Sequence, residues 1–159
     1  MALTDNEKNI DEQVVDIQID AIKKQKFRIN GDPKSIIELN ISDLGISDRL
    51  EEGYKKLKEE MTHIASLPDD ENLSEKMAQA NKVMCDWIDY IFDSPVSKVV
   101  CKSGTMYDPY DGMFRYEHII DSLTKLYTDN INDEYKKLKK RVEKHTEKYV
   151  GKKSGRSKR

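Results

Sequence analysis

The sequence predicts a mainly α-helical, α+β domain: an antiparallel β-hairpin or meander over residues 13–42, then a helical portion over 47–149 that closes on a long C-terminal helix. Three observations carry that expectation. Residues 26–41, KFRINGDPKSIIELNI, alternate apolar and polar side chains on either side of an Asn-Gly-Asp-Pro turn, the pattern of a hairpin. Leu50, Tyr54, Leu57, Met61 and Ile64 then recur at spacings of four and three, which places them on one face of a helix. The stretch from Met84 to Leu126 holds the only tryptophan, two of the three phenylalanines and, with Tyr127 at its edge, five of the eight tyrosines. Aromatic side chains bury the largest apolar area per residue, so the core is expected to form around that stretch.

Residues 1–12 are polar and are expected to fray or lack order. From Val15 the run Val15, Ile17, Ile19, Ala21 alternates with Asp16, Gln18 and Asp20. That fits a third, half-buried strand, while Val15, Ile19 and Ile22 also fit a helical spacing. Two strands alone are marginal in water, so the sheet must pack on the helices or join a sheet of another subunit. After the hairpin, Asp48 and Glu51 suit a capping-box start for the first helix, and Leu67-Pro68 ends it. A second helix is expected from Asp69 or Asp70, with Leu73, Met77, Ala80, Met84, Trp87, Ile88 and Ile91 on one side. The short connection makes these two helices an antiparallel pair.

Ser94 and Pro95 suit the N-cap and first position of a short helix bearing Val96, Val99 and Val100, and Gly104 can supply its left-handed stop. Beyond it, TMYDPYDG is turn chemistry. The last helix is expected over 113–149, with Ile119, Leu123, Leu126, Tyr127, Ile131, Tyr135, Leu138, Val142, His145 and Tyr149 in register. A continuous helix of that length would reach about 55 Å, more than this domain can cover. One helix, or two separated at DNINDE (129–134), both fit the pattern. The second half is densely charged around a narrow apolar seam, which suits packing along a single partner helix. Residues 150–159 are expected to form a flexible basic tail.

Composition sharpens the picture. Apolar residues make up 36% of the 159 and charged residues another 36%, against an apolar share of roughly 45–50% in ordinary domains. A thin core on amphipathic helices follows, or a core completed by another protein. The formal net charge of −2 hides a split, because the last eight residues carry five positive charges and the remainder sums to −7. The N-terminal residues never assemble the apolar region of a signal peptide, and no apolar run approaches the ~20 residues that cross a bilayer. Cys85 and Cys101 are the only cysteines. They are expected to be reduced, small apolar fillers in a cytoplasmic setting, with a disulfide between them the less favoured alternative.

For chemistry the sequence offers little. His63, His118 and His145 lie far apart, without the i, i+4 spacing that sets two metal ligands on one helix face. YDPYDG resembles a calcium loop only until Gly112 is placed at its sixth position, when Tyr107 and His118 fall where the first and twelfth ligands belong. Carboxylates in PDDEN and in YDPYDG are explained by the positive end of a helix. Phosphate-cradling glycine loops, nucleophile elbows and Cys/His arrangements do not occur, so no enzyme, metal or cofactor is expected. The basic tail is short and lacks interleaved aromatics, which disfavours nucleic acid as a partner while leaving it the rival reading.

Two segments carry a family resemblance. Residues 26–57, KFRINGDPKSIIELNISDLGISDRLEEGYKKL, resemble the opening of small proteins of tailed phages and prophages of Gram-positive bacteria. Residues 87–123, WIDYIFDSPVSKVVCKSGTMYDPYDGMFRYEHIIDSL, are similar in layout to the C-terminal half of phage tail assembly chaperones: a helix, a short helix, a glycine-bearing turn and an aromatic-led helix. SGTMYDPYDG is more acidic than the small-residue turn of the commoner pattern, which keeps other tail or head morphogenesis proteins in view. The resemblance implies a non-enzymatic protein of the bacterial host cytoplasm that coats the tape measure protein, helps recruit tail tube protein during polymerisation, and contacts no membrane. It also implies a possible frameshift site, for which the codons of Val150-Gly151-Lys152-Lys153 are suited. Met77, Met84, Trp87, Ile88, Ile91, Phe92, Phe114 and Ile119 are then the expected core and client groove, and Leu138, Val142, His145 and Tyr149 the expected seam for a partner, which could be a second copy. The alternatives are a nucleic-acid-binding regulator using the tail and a structural virion protein.

Overall fold

A computed structural model describes the backbone of residues 13–157 and the side chains of residues 13–146. Residues 1–12, expected to fray or lack order, lie outside the described part. In chain order the elements are a single 3-10 turn at Asp20–Ile22, strands β1 (Gln25–Arg28) and β2 (Ile36–Leu39), helices α1 (Ile46–Ser66), α2 (Leu73–Phe92) and α3 (Ser97–Val100), strands β3 (Pro109–Tyr110) and β4 (Met113–Phe114), and helix α4 (Arg115–Ser157). The chain is mainly helical, with the antiparallel hairpin at its N-terminal end and the long helix at its C-terminal end.

β1 and β2 pair antiparallel with Gln25 opposite Leu39 and Arg28 opposite Ile36. The turn between them works as its sequence dictates. Asn30 and Gly31 both take positive φ, 51° and 73°, and the Asp32 amide donates to the Ile29 carbonyl at 3.0 Å, a tight turn that opens the connection over residues 30–34; the Ile29 amide then donates to the Ser35 carbonyl at 2.8 Å and closes it. Asp32 then fixes the far side, accepting from the Ser35 hydroxyl at 2.6 Å and the Lys34 amide at 3.0 Å. Ile37 and Leu39 point into the core while Ile36 and Glu38 face outward, so the hairpin is held by one face against the helices.

The third strand does not form. Residues 14–19 take no regular secondary structure and pair with nothing among the described residues, and Val14, Val15, Ile17, Ile19 and Ile22 are all exposed. Alternation alone makes a strand possible; only a free edge with a matching partner makes it real.

Helix α1 begins two residues before the expected capping box. Asp43 organises the start instead, accepting from the Gly45 amide at 2.8 Å and pairing with Arg49 Nη2 at 2.8 Å. Helix α2 begins at Leu73, later than Asp69 or Asp70, after Asp70 accepts from the Asn72 amide at 2.9 Å. The two helices run antiparallel: Arg49 near the start of α1 donates to the Ile91 carbonyl near the end of α2 at 3.0 Å, and Glu52 receives the Tyr90 hydroxyl at 2.7 Å. Their shared face holds Leu57, Met84, Ile88 and Ile91, each without measurable exposure.

Asp89 makes the corner into α3. Its carbonyl accepts from the Ser94 amide at 3.2 Å, closing α2 around Asp93 at a left-handed φ of 48°. Its carboxylate then accepts from the Ser97 amide at 2.7 Å and the Ser97 hydroxyl at 2.8 Å. Ser94, expected as the cap, is buried and its side chain makes no cap bond; the short helix starts at Ser97. Gly104 does take the left-handed conformation, φ 82°. After it, Asp111 and Gly112, both at positive φ, turn a second small hairpin that pairs Tyr110 with Met113. The expected helical start at Met113 is therefore a strand, and α4 begins at Arg115.

α4 completes the core with Tyr116, Ile119, Ile120, Leu123 and Tyr127, spaced to face α1, α2 and the hairpin. Tyr116 lies 6.3 Å from Tyr54 and Tyr127 lies 6.2 Å from Phe92, centroid to centroid. Burial of each phenol pushes its pKa up to about 12. The last tie to the body is Asn130, whose amide donates to the Ile41 carbonyl at 3.2 Å and reaches the Ser42 hydroxyl at 3.3 Å. DNINDE contains neither Gly nor Pro, and the helix runs through it without interruption.

Candidate partner-binding surfaces

Beyond Ile131 helix α4 leaves the body. Every side chain from 132 to 146 is exposed, and the backbone from there to Ser157 extends about 39 Å at 1.5 Å per residue. Tyr135, Leu138 and Val142 are 69%, 54% and 62% exposed. Their spacing of three and four puts them on one face, and exposed His145 continues it. The side chain of Tyr149, expected to close the seam, lies outside the described residues; the backbone stays helical to Ser157, through most of the stretch expected as a flexible basic tail over 150–159.

What flanks this seam is basic. Residues 132–159 contain twelve Lys and Arg against four Asp and Glu, while residues 1–131 contain sixteen against twenty-six. Among the residues whose side chains are described, 132–146 on the helix carry six Lys and Arg against three Asp and Glu, while 13–131 carry fifteen against twenty-two. Only one ion pair is formed within the described part of the arm, Lys137 to Glu134 at 3.1 Å. The Lys and Arg heads can hold water or an acidic partner while their stems lie beside the seam.

The other expected partner residues sit elsewhere. Met84, Ile88, Ile91, Phe92 and Ile119 are buried inside the body, where they form its interior. Met77 and Trp87 are half-buried at its rim; the Met77 carbonyl accepts from the Tyr107 hydroxyl, and the Trp87 ring meets Tyr90 edge-on at 5.4 Å. Phe114, 36% exposed, stacks on Tyr116 with centroids 6.1 Å apart. Of the eight residues named for a client groove, five face the interior and three, Met77, Trp87 and Phe114, lie at its rim.

Two open grooves flank the hairpin. One, of about 630 Å3, runs along β1 and β2 to Ser94 and Pro95. The other, of about 950 Å3, lies between the hairpin tip and the Lys102–Ser103, Asp108–Tyr110 and Arg115–Leu123 segments. Several of its polar groups are already engaged. Asp108 accepts from the Thr105 hydroxyl at 2.6 Å and the Thr105 amide at 3.0 Å, bonds that hold its carboxyl below the usual range. His118 Nε2 contacts the Tyr110 carbonyl at 2.7 Å. Among the described residues no three His, Cys, Asp or Glu side chains converge in a metal-binding cluster, and no helix is long and apolar enough to cross a membrane. Sequence reasoning missed three residues that fix this geometry, Asp43, Asp89 and Asn130, because a lone polar residue carries no periodic signal. Comparison with protein-family models, curated proteins and solved structures finds no match.

Proposed function

We propose that this chain is a non-enzymatic assembly chaperone, and specifically a tail assembly chaperone of a phage or prophage, acting in the bacterial host cytoplasm. Its α4 arm binds an apolar stripe of the tape measure protein and keeps that long helical chain from aggregating while tail tube protein is recruited. The supporting observation is the seam of Tyr135, Leu138 and Val142, an apolar line at helical spacing with no cover among the described residues. Apolar positions three and four apart are the anchors of helix-against-helix recognition. The basic flanks favour a partner whose matching helix is acidic.

Co-expression with the cognate phage's tape measure protein tests the reading. The intact chain keeps that protein soluble and co-purifies with it, whereas L138D/V142D loses both effects while its melting temperature stays within a degree or two. Undiminished co-purification by the folded double variant overturns the reading.

The net charge of +3 over residues 132–146 of the arm favours one rival, nucleic acid. The two separate cleanly. Nucleic-acid binding survives L138D/V142D in large part, fails when Lys136, Lys137, Lys139 and Lys140 become Glu, and weakens steeply with salt.

A further inference from the structure

Helices α2 and α4 run through the body in the same direction and in step. At one end the Asn81 side chain accepts from the Met106 amide at 2.8 Å, and the Met106 carbonyl accepts from the Tyr116 amide at 2.9 Å. At the other end, eleven residues further along each helix (Asn81 to Phe92, Tyr116 to Tyr127), the Phe92 and Tyr127 rings lie 6.2 Å apart, centroid to centroid. The arm therefore continues beyond the C-terminal end of α2, and an unbroken helix cannot turn back onto its own body. On its outer side the same α2 carries Val83 and Tyr90, 40% and 42% exposed, with half-buried Trp87 between them. Read from Tyr90 back to Val83, their spacing is the three and four of Tyr135, Leu138 and Val142. Antiparallel helices bring two such stripes into register.

We propose that a second copy of this chain covers both stripes. In a two-fold dimer the arm of each copy lies antiparallel along α2 of the other, and seats Tyr135, Leu138 and Val142 on the partner's Tyr90, the partner's Trp87 and the partner's Val83. A two-fold axis across the helices reverses one α2 against the other, and with it each arm against the α2 it meets, so neither helix has to bend. The arm is also long enough: its length of about 39 Å exceeds the roughly 30 Å of the 20 residues of α2. Symmetry makes the contact twice, which doubles the apolar area withdrawn from water.

Charge selects this occupant. From Val83 to Asp93 the sequence holds Asp86, Asp89 and Asp93 and no Lys or Arg. Glu52, which accepts from the Tyr90 hydroxyl at 2.7 Å, adds a carboxylate beside the stripe. Against this stand residues 132–146 of the arm, with net charge +3. In the proposed register Lys139 and Arg141 come to the partner's Asp86, and where α2 turns basic at Lys82 the arm turns acidic at Glu143. Glu134, the arm residue that approaches the partner's Asp93, is already paired with Lys137 at 3.1 Å. Two arms pairing with each other would set like charges side by side, which disfavours that dimer. This inference goes beyond the client role of the arm and does not rest on it, although copy and client compete for one seam.

Sedimentation equilibrium of the purified full chain, loaded at about 1–200 µM, reads the association as a monomer–dimer equilibrium with Kd of about 1–100 µM. L138D/V142D on the arm and V83D on α2, each checked for folding by circular dichroism, raise Kd more than about tenfold. R141E weakens association by about tenfold as well, and D86K/R141E recovers it, because opposite charges face each other again. V83D separates this proposal from the client role, since it loses the dimer and leaves the arm intact; whether it still captures the tape measure protein bears on that role alone. A chain that stays monomeric throughout the range, or a dimer that either V83D or L138D/V142D leaves at its original strength, overturns the proposal.

Discussion

Gly53 of α1 lies directly against Ile91 of α2: a Cβ on the glycine would stand 2.6 Å from the Ile91 Cδ1 and closer still to its Cγ1. Ile91 is fully buried and branched at its Cβ, so it cannot swing aside. The missing side chain sets how near the helices approach. Glycine inside a helix costs about 1 kcal/mol relative to alanine, and this close approach is the reason it is found there.

Gly53→Ala therefore destabilises the protein although it raises helix propensity. Overpacking of about 1–3 kcal/mol outweighs the propensity gain, for a net loss on the order of 1–2 kcal/mol by urea denaturation. Ile91→Ala removes both clashing atoms, so Gly53→Ala with Ile91→Ala loses less than the two single losses summed, as a double-mutant cycle in urea reads.

Interior and arm respond oppositely to truncation. Met84→Ala or Leu57→Ala, each at a position without exposure, lowers unfolding free energy by about 2–5 kcal/mol. Leu138→Ala, on the arm, changes it by less than about 0.5 kcal/mol. Chemical denaturation followed by tryptophan fluorescence distinguishes the two, since Trp87 reports on the body.

The Asp89 corner is tested by removing its carboxylate. Asp89→Ala leaves the Ser97 amide and hydroxyl without their acceptor, with a loss of about 1–2 kcal/mol. Asp89→Asn keeps one acceptor oxygen and loses less. Hydrogen exchange of the Ser97 amide accelerates in Asp89→Ala more than that of amides in α1.

Two pH windows follow from the shifted groups. Asp32 is lowered by the Ser35 hydroxyl and the Lys34 amide, and Asp108 by the Thr105 hydroxyl and amide. Asp43 is opposed by burial but lowered on balance by Arg49 and the Gly45 amide. Folded-state values below the unfolded ones give stability that is present above about pH 4 and lost as the pH falls through the folded values. Tyr116 and Tyr127 stand at about 12 in the folded chain, above an unfolded value of about 10. Their contribution is complete below pH 10 and disappears as the pH rises towards 12. Ultraviolet titration of the eight tyrosines shows two that ionise late or only on unfolding.

Much of the helical architecture was legible because it is periodic. The stripe from Leu50 to Ile64 and that from Leu73 to Ile91 each mark a face that meets the other, and Asn30-Gly31 marks a turn by backbone conformation alone. Residues 14–22 misled for the same reason: alternation reports what a strand needs, not whether an edge exists to pair with it. The Asp43 and Asp89 corners were invisible because their partners lie across a turn, and Pro95 had drawn the expected helix start forward. At the candidate surfaces, Leu138 and Val142 were legible as a seam from their spacing amid charge. The Met77–Ile119 set was legible as apolar, but sequence cannot say whether apolar residues face a client or one another.

Among the residues whose side chains are described, 13–131 sum to net −7 and 132–146 to net +3, a division that gives the molecule an electric dipole along its projecting helix. Such an object is turned by a partner's field before the two touch. A negatively charged target is met arm-first, at a rate that falls as added electrolyte shortens the reach of that field. Orientation during approach is thus built into the covalent chain, ahead of any contact that Leu138 or Val142 can make.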